Sequence, residues 1–307
     1  MSIEVIPVES IDIQDNRFKI SKNIVSAELI SSVKVSGILR APFVMAANNG
    51  FCLVTGHNRI AAAKISGLAT VPVFIANDIP QTIMNEASLK SFNGEIGPSG
   101  KLAVLSLLRN EFNMDANIVT RFCRDTLAIP EWVFADDVFI SDFKKLHNEI
   151  KDYFDIRDIS FKLIKNFLSL PLEACAWLGK NAVEFSIGLN IFKKMMDLLI
   201  DITRRDGHCN FLNSMNADIT TGRGIAQELL QQIFELRYPE YSSLKKTADI
   251  HLKDIQSAGV LVDFPEFFEG GEINIRIPMK KKEGADAFFK KAQKVSKEEL
   301  QKLLDML

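Results

Sequence analysis

Residues 1–78 alternate short apolar runs with stretches in which apolar residues recur at helical spacing. The runs IEVIPV, APFVMAA, FCLVT and VPVFIA have the length and composition of strands. The stretches SAELISSVKVSGI and NRIAAAKISG have the spacing of helices, and each ends at a glycine, Gly37 or Gly67, which commonly terminates a helix. This alternation predicts a mixed sheet with helices packed on it.

The pattern changes twice further along the chain. Residues 79–100 begin with a helical pattern and end in NGEIGPSG, whose glycines and proline predict a boundary. From residue 101 to about 215 every segment has helical spacing, including KLAVLSLLRNEF, ANIVTRFCRD, DDVFISDFKKLHNEIKDYF and IGLNIFKKMMDLLIDITRR. A further segment with helical spacing, DISFKLIKNFLSLP, ends at Leu-Pro, and a proline commonly ends a helix. This part of the chain is predicted to be all-α.

The last part, from residue 216, mixes both kinds of pattern. Two helical stretches precede the strand-like runs VLVDF and INIRIPM, and two further helical stretches finish the chain. The sequence therefore predicts a mainly α protein of three domains. These are an α+β domain at 1–95, an all-α domain at 96–215 and a small α+β domain at 216–307.

Composition limits the classes of function. The chain has 307 residues, of which 47% are hydrophobic and 25% charged, as in ordinary globular proteins. The net charge is −2 and the pI about 6.2, so the chain as a whole has no basic surplus to bind a phosphate backbone. Any contact with nucleic acid must come from a local patch.

Targeting signals and metal-ligand spacings are not evident. The start MSIEVIPVES has neither a basic nor an apolar signal region, and no apolar run reaches the length of about 20 residues that spans a bilayer. The four cysteines are widely spaced and form no CxxC pair, and the adjacent His208 and Cys209 are poorly placed to share one ion. We expect a cytoplasmic protein with reduced thiols, no metal site and no membrane partner.

The turn between FCLVT and the following helix has the residues of an anion site. A strand that ends in glycine and leads into a helix presents backbone N–H groups where the helix dipole favours negative charge. Gly56 permits close approach of a ligand, Asn58 is a suitable N-cap, and Arg59 supplies a planar fork for phosphate. A capped helix with a surface arginine has the same pattern, and His57 fits either a structural hydrogen bond or proton transfer.

The same stretch resembles a known family. FCLVTGHNRIAAAKISGLATVPVFI is similar to the second conserved box of the ParB/sulfiredoxin-like N-terminal domain: a strand, G-x-x-R, an alanine-rich helix, Gly-Leu and VPV. The preceding VSAELISSVKVSGILRAPFVM resembles the family's helix followed by GxLxPIVV. The resemblance covers about residues 5–78. It implies a divergent relative of the chromosome and plasmid partitioning protein ParB.

The resemblance implies a nucleotide ligand. In ParB this domain binds CTP over the turn, whereas sulfiredoxins and free-serine kinases hold ATP or ADP phosphates there. A nucleoside triphosphate with Mg²⁺ is thus implied, with CTP favoured and ATP possible. The implied phosphate-site residues are Gly56, His57, Asn58 and Arg59 in the turn, Arg17 ahead of the first helix, and Glu86 and Lys90 in EASLK.

The chain departs from ParB in two of its boxes. His57 stands where ParB has an acidic residue, and the third box, Glu-Asn with a following arginine, is matched only by Glu86 and Lys90. An alternative ungapped alignment through IGP puts Asn93 at the arginine position. We therefore assign no catalytic residue and expect at most a weak nucleotide triphosphatase.

Two enzyme activities of related proteins have further requirements. Sulfiredoxin chemistry needs a cysteine in the turn, but the nearest one, Cys52, lies in the preceding strand and is expected to point into the core. A kinase needs an acidic base, for which Glu9, Asp12 and Asp15 are available.

In ParB proteins a helical domain with a helix-turn-helix follows, and SFKLIKNFLSLP resembles the family's LLRLLKLP helix. The basic and polar residues that such helices could present to DNA are Arg121, Arg124, Lys162, Lys165 and Asn166. A solvated helix face would carry the same residues. The run PMKKKEGADAFFKKAQK, with Lys280, Lys281, Lys282, Lys290 and Lys291, is a further candidate for non-specific contact with DNA.

The resemblance and the composition lead to one main hypothesis. The chain is expected to be a ParB-like DNA-binding protein in DNA partitioning or transcription regulation, switched by a nucleotide and self-associating through residues 216–307. The alternatives are a small-molecule kinase or other phosphotransferase on the same scaffold, or a degenerate non-catalytic scaffold for other proteins.

Overall fold

The computed structural model describes residues 3–20, 25–47, 50–215, 224–279 and 284–307. The chain divides into two compact units, Met1–Met196 and Asp197–Leu307. Both are built mainly of helices, which confirms the predicted fold class of a sheet-containing N-terminal domain in a mainly α protein. The three-domain division with boundaries after residues 95 and 215 remains a prediction.

A five-stranded mixed sheet forms the N-terminal part of the first unit. Its strands are β1 (Ile3–Pro7), β2 (Ile11–Asp12), β3 (Phe43–Ala47), β4 (Gly50–Leu53) and β5 (Thr70–Ile75). The strand order is β1-β5-β3-β4-β2. The β1/β5 and β3/β4 pairs are antiparallel, whereas β3/β5 and β2/β4 are parallel. The sheet that the alternating pattern predicted is therefore present, with an additional short strand, β2.

Three helices accompany this sheet: α1 (Ala27–Ser36), α2 (His57–Ile65) and α3 (Ile79–Phe92). Ser26 caps α1 by accepting a hydrogen bond from the Leu29 N–H, and Asp78 caps α3 in the same way. Helices α1 and α2 contribute to the core of the sheet, whose central side chains are completely buried. These include Val44, Leu53, Ile60, Val71 and Val73.

The remainder of the first unit is helical. Its helices are α4 (Pro98–Ser106), α5 (Ala116–Asp125), α6 (Glu131–Phe134), α7 (Asp137–Lys145), α8 (Asn148–Ile156), α9 (Phe161–Leu168), α10 (Leu172–Glu184) and the start of α11 (Leu189–Asp206). A π-helical turn, Leu107–Glu111, follows α4. The stretch DDVFISDFKKLHNEIKDYF forms two helices, not the continuous one its spacing suggested. Leu146 and His147 are both extended, with ψ of 145°, and break it.

Aromatic side chains from three helices make the centre of the helical core. Phe154 of α8, Phe167 of α9 and Phe192 of α11 are fully buried, and their ring centroids lie 5.4 to 6.2 Å apart. Edge-to-face and offset contacts of this kind add to the free energy gained by burying the rings. They fix α8 and α9 against each other.

The second unit contains α12 (Ile225–Arg237), α13 (Pro239–Ser257), a two-stranded antiparallel sheet of β6 (Leu261–Asp263) and β7 (Asn274–Arg276), α14 (Gly284–Gln293) and α15 (Lys297–Leu304). Ile255, Val260, Phe268 and Leu303 are buried together in its core. Lys280, Lys281 and Lys282 of the predicted basic run lie outside the described residues. Within the described ranges, no helix has the length and apolar character needed to cross a bilayer.

Candidate functional site

The turn before α2 is built around Gly56. This residue has φ 82° and ψ 23°, in the left-handed region that favours glycine, and it is the N-cap of α2. Its carbonyl accepts hydrogen bonds from the N–H groups of Arg59 and Ile60. A side chain here would place its Cβ 2.6 Å from Cβ of Pro42. Both the backbone conformation and the close approach of Pro42 therefore require glycine.

The expected N-cap, Asn58, is not the cap. Helix α2 begins at His57, and Gly56 precedes it without any side-chain capping bond. Because Gly56 turns the chain through a left-handed conformation, the helix starts two residues earlier than a capping Asn58 would place it. Asn58 is the second residue of α2 and lies in its first turn, where the helix dipole favours negative charge.

Arg59, Glu86 and Lys90 come together beside this helix start. The Glu86 side chain is only 5% exposed, and its carboxylate contacts three cations. Nη2 of Arg40 lies 2.6 Å from Oε2, while Nη2 of Arg59 and Nζ of Lys90 each lie 3.8 Å from Oε1. Nη1 of Arg59 also donates to the Arg40 carbonyl. We call Arg40, Arg59, Lys90 and Glu86 the cation cluster.

The cation cluster has more positive than negative charge. A single carboxylate faces three cationic side chains, and the nearest further carboxylate, on Glu95, is 4.0 Å from Lys90 and largely exposed. Burial lowers the pKa of Arg59, an effect that Glu86 opposes and Arg40 reinforces. An anion bound here would relieve the repulsion among these side chains, so the residues present fit phosphate groups.

His57 has no net charge at neutral pH. Its side chain is buried, and this burial, with a contribution from the Lys19 ammonium, lowers its pKa to about 4. The ring hydrogen-bonds to the backbone of Asp15, whereas its Nε2 is buried and has no partner among the described residues. Any contact of His57 with a ligand is therefore a hydrogen bond that Nε2 accepts from a ligand N–H or O–H group, and not an ion pair.

Arg17 lies in a separate contact group. Its guanidinium donates to the Asp15 carboxylate, at 2.6 Å from Nη2, and lies 3.6 Å from Sγ of Cys52. This bond holds the pKa of Asp15 well below its usual range, which makes Asp15 unsuitable as a general base. Arg17 makes no ion pair with the cation cluster in the described part of the chain.

Cys52 belongs to the same group. Its thiol donates to Asp15 at 3.0 Å, and burial, reinforced by that carboxylate, raises its pKa to about 11. The side chain is buried, as expected, and the raised pKa makes it a poor nucleophile.

Two residues of the site were missed from the sequence. Arg40 pairs with Glu86 across 46 positions of the chain, and no local motif signals such a contact. Lys19 lies near enough to His57 to affect its pKa, and its own pKa is lowered by burial. The two alignments of the third box differ here: Lys90 contacts Glu86, whereas Asn93 caps the end of α3 and approaches Glu95.

The region that forms this site matches a known family. Residues 1–91 match the model of the ParB N-terminal domain. The N-terminal region is therefore similar to ParB N-terminal domains. No curated protein matches the chain. The suspected family is thereby confirmed for this region, which holds the sheet, the glycine turn and the cation cluster.

Solved ParB structures show limited similarity to the chain. The C-terminally truncated chromosome-partitioning protein ParB from Caulobacter crescentus, complexed to the centromeric parS site, has 14% identity over 63% of this chain and 97% of its own, with a TM-score of 0.26. The same protein with CTP-γ-S has 14% identity over 59% and 98%, with a TM-score of 0.24. A Pnob8-like ParB-N domain has 16% identity over 76% and 97%, with a TM-score of 0.33.

The candidate DNA-binding residues lie on two helices that follow the ParB domain. Arg124 of α5 is paired with Asp125 at 2.7 Å and Glu131 at 3.2 Å. Lys165 of α9 is 2.7 Å from Asp136 and lies over the Trp132 ring at 4.6 Å. These two charges are already balanced by carboxylates on the same surface.

The other three candidate DNA-binding residues make no ion pair in the described part of the chain. Arg121 and Lys162 are exposed, and Asn166 is half-buried on α9. Residues 157–160 join α8 to α9, and Asp158 has a left-handed φ of 47°. A connection of this length is typical of helix-turn-helix motifs, with α9 in the position of the second helix.

Proposed function

We propose that the chain is a ParB-like DNA-binding protein whose ParB N-terminal domain binds a nucleoside triphosphate, CTP in preference to ATP. The protein would act in DNA partitioning or transcription regulation, with the nucleotide as a conformational switch. The observation that carries this proposal is the cation cluster, which surrounds the start of α2 with a surplus of positive charge inside a ParB N-terminal domain.

The cluster has the chemistry that phosphate groups require. Helix N-termini favour anions, and an arginine guanidinium can bind two phosphate oxygens at once. Arg59 and Lys90 would hold phosphate groups, and Gly56 lets them approach the backbone. The unpartnered Nε2 of His57 is an acceptor while the ring is neutral, so it suits an N–H or O–H group of the nucleotide and not a phosphate oxygen. Mg²⁺ would accompany the triphosphate and share its charge.

Support for DNA binding comes from the helices after the ParB domain. Helix α9 buries Phe161, Ile164 and Phe167 and leaves Lys162 exposed on the opposite side. This division is the one expected of a helix that packs on a core and faces a phosphate backbone. The nucleotide could act as a switch if α3 and α4 have different arrangements in the DNA-bound and the released state. The nucleotide would then favour the state whose arrangement it stabilises.

Self-association through the C-terminal region completes the proposal. The short sheet of β6 and β7 exposes Leu261 and Ile275, and Phe289 of α14 is exposed as well. Exposed strands and apolar side chains of this kind favour association between chains. Sedimentation of the full chain and of a variant that ends at residue 215 tests this, because only the full chain is expected to dimerise.

The nucleotide proposal is tested by calorimetric titration of CTP and ATP, each with Mg²⁺, into wild type and Arg59→Ala. Arg109→Ala is the matched control, because Arg109 is exposed and pairs only with Asp137 in the described residues. We expect CTP to bind wild type and the control, and the Arg59 variant to bind it at least about tenfold more weakly.

The other outcomes separate the alternatives. Binding of ATP in preference to CTP would favour the small-molecule kinase. Equal affinity of wild type and Arg59→Ala would mean that the arginine is structural. If neither nucleotide binds, the nucleotide switch is refuted, and DNA retention in filter binding decides between a DNA-binding protein and a protein scaffold.

A further inference from the structure

Glu86 is placed where an anionic ligand would have to bind. Its buried carboxylate contacts cations from three parts of the domain: Arg40 before β3, Arg59 on α2 and Lys90 on α3. The same three cations give the site its positive character. Any phosphate that uses them must share them with a negative charge that the protein already supplies.

The three cationic side chains differ in how firmly their contacts fix the charged head group. Arg59 is only 18% exposed, and its Nη1 donates to the backbone carbonyl of Arg40, so its head group is fixed from two sides. Lys90 lies on the same helix as Glu86, one turn away, and is also largely buried. Arg40 makes the shortest contact with Glu86, yet its side chain is 52% exposed. Its guanidinium therefore has room to turn outward without opening the core.

We propose that Glu86 is an internal competitor of the phosphate ligand, and that the ligand binds by taking the Arg40 guanidinium away from the Glu86 carboxylate. The inference rests on the proposed phosphate site and adds a residue, Arg40, to it. Arg59 and Lys90 remain as counter-charges of Glu86 in both states. The buried carboxylate is therefore never left unpaired, which would be strongly unfavourable.

This exchange predicts an unusual sign for a mutation inside the site. If Glu86 competes with phosphate, removal of its charge strengthens binding, because Arg40 is released and no negative charge repels the ligand. If Glu86 helps to hold the ligand, directly or through Mg²⁺, the same change weakens binding. The two roles give opposite results in one measurement.

The experiment is calorimetric titration of inorganic tripolyphosphate into the full chain at fixed ionic strength, with and without Mg²⁺. Glu86→Gln keeps the size of the side chain and removes its charge. We expect it to bind about two- to fivefold more tightly than wild type, which is the size of one partly exposed salt bridge. Glu95→Gln is the matched control, because Glu95 reaches Lys90 but not Arg40 and is 55% exposed, and we expect a change of less than about twofold.

A double-mutant cycle tests whether the gain passes through Arg40. In an Arg40→Gln background, Glu86→Gln is expected to give a clearly smaller gain, because no guanidinium remains to be released and only the repulsion of the ligand is removed. Should Glu86→Gln fail to fold, Glu86→Asp replaces it in the cycle. The shorter side chain keeps the charge but withdraws it from Arg40, and a smaller gain is expected.

Each result decides a separate question. Weaker or unchanged binding in the Glu86 variants, with wild type binding tripolyphosphate, overturns the competitor role and leaves the phosphate site intact. A gain that is undiminished without Arg40 also overturns it. If wild type and all variants fail to bind, the phosphate site itself is wrong, and this inference falls with it.

Discussion

Replacing Gly56 by alanine tests the geometry on which the candidate site depends. The added methyl group would lie 2.6 Å from Cβ of Pro42 and 3.2 Å from Nη2 of Arg59. Arg59 could give way, because its head group ends a long side chain. Pro42 could not, because its ring is rigid and its carbonyl accepts the Phe74 N–H of β5 at 2.9 Å.

Two terms set the size of the effect. The left-handed conformation costs a non-glycine residue about 1 kcal/mol. The contact with Pro42 is overpacking in a rigid place, which costs about 1–3 kcal/mol. We expect Gly56→Ala to lower the free energy of unfolding of the ParB domain by about 2–4 kcal/mol in total.

Gly67 is the matched control in the same domain. It follows α2, and its φ of 71° is close to that of Gly56, but a Cβ there would meet nothing within 4 Å. Gly67→Ala is therefore expected to cost only the conformational term of about 1 kcal/mol. The difference between the two variants isolates the contact with Pro42.

Amide hydrogen exchange of the full chain measures this difference. The chain has two compact units, so a single melting temperature would mix their stabilities. The amides of β3 and β5 instead report the free energy of opening this sheet. Equal loss of protection in Gly56→Ala and Gly67→Ala would refute the tight turn, and with it the close approach of backbone and ligand.

Three further predictions address single groups. Because the pKa of His57 is lowered to about 4, the unfolded chain takes up a proton between about pH 6.5 and 4 that the folded chain does not. Exchange at the amides of β3 and β5, corrected for the intrinsic exchange rate at each pH, should thus show a His57-dependent part of the opening free energy that is constant above pH 6.5 and falls by about 2–4 kcal/mol towards pH 4, a loss that His57→Phe lacks. Asp155 is buried and accepts a hydrogen bond from the Ser99 N–H at the start of α4 at 2.9 Å, so Asp155→Ala should cost about 1–3 kcal/mol in the opening free energy of the α4 amides, with Asp155→Asn less affected. In filter binding, Lys162→Ala should weaken DNA retention and reduce the salt slope by about one, whereas Lys165→Ala should do less because its charge is already paired.

Local signals in the sequence predicted most of the elements. Gly37 and Gly67 end α1 and α2 because both adopt a left-handed φ, which the sequence signals through glycine itself. The strands β1, β3, β4 and β5 follow from apolar runs whose central residues enter one core. The family resemblance was readable for a similar reason, since the glycine turn and the helix that follows are contiguous in the chain.

Features that depend on distant contacts could not be predicted. Arg40 reaches Glu86 only because the fold brings the segment before β3 next to α3, and the sequence holds no periodicity that relates the two. Lys165 looked like a free cation on an exposed helix face until the structure placed Asp136 beside it. The split between α7 and α8 was missed because apolar residues keep helical spacing across Leu146 and His147, although the backbone there is extended.

The charge balance of the cation cluster argues for a binding role. One cation is enough to neutralise a buried carboxylate, and each additional cation held nearby adds repulsion and loses solvation. Glu86 has three, and burial lowers the pKa of Arg59 in spite of that carboxylate. A purely structural ion pair gains nothing from this arrangement, whereas an anion site needs it. A ligand at one hundred times its dissociation constant would stabilise the domain by about 2.7 kcal/mol. An anionic ligand would therefore balance the charge that Glu86 and Glu95 leave uncompensated.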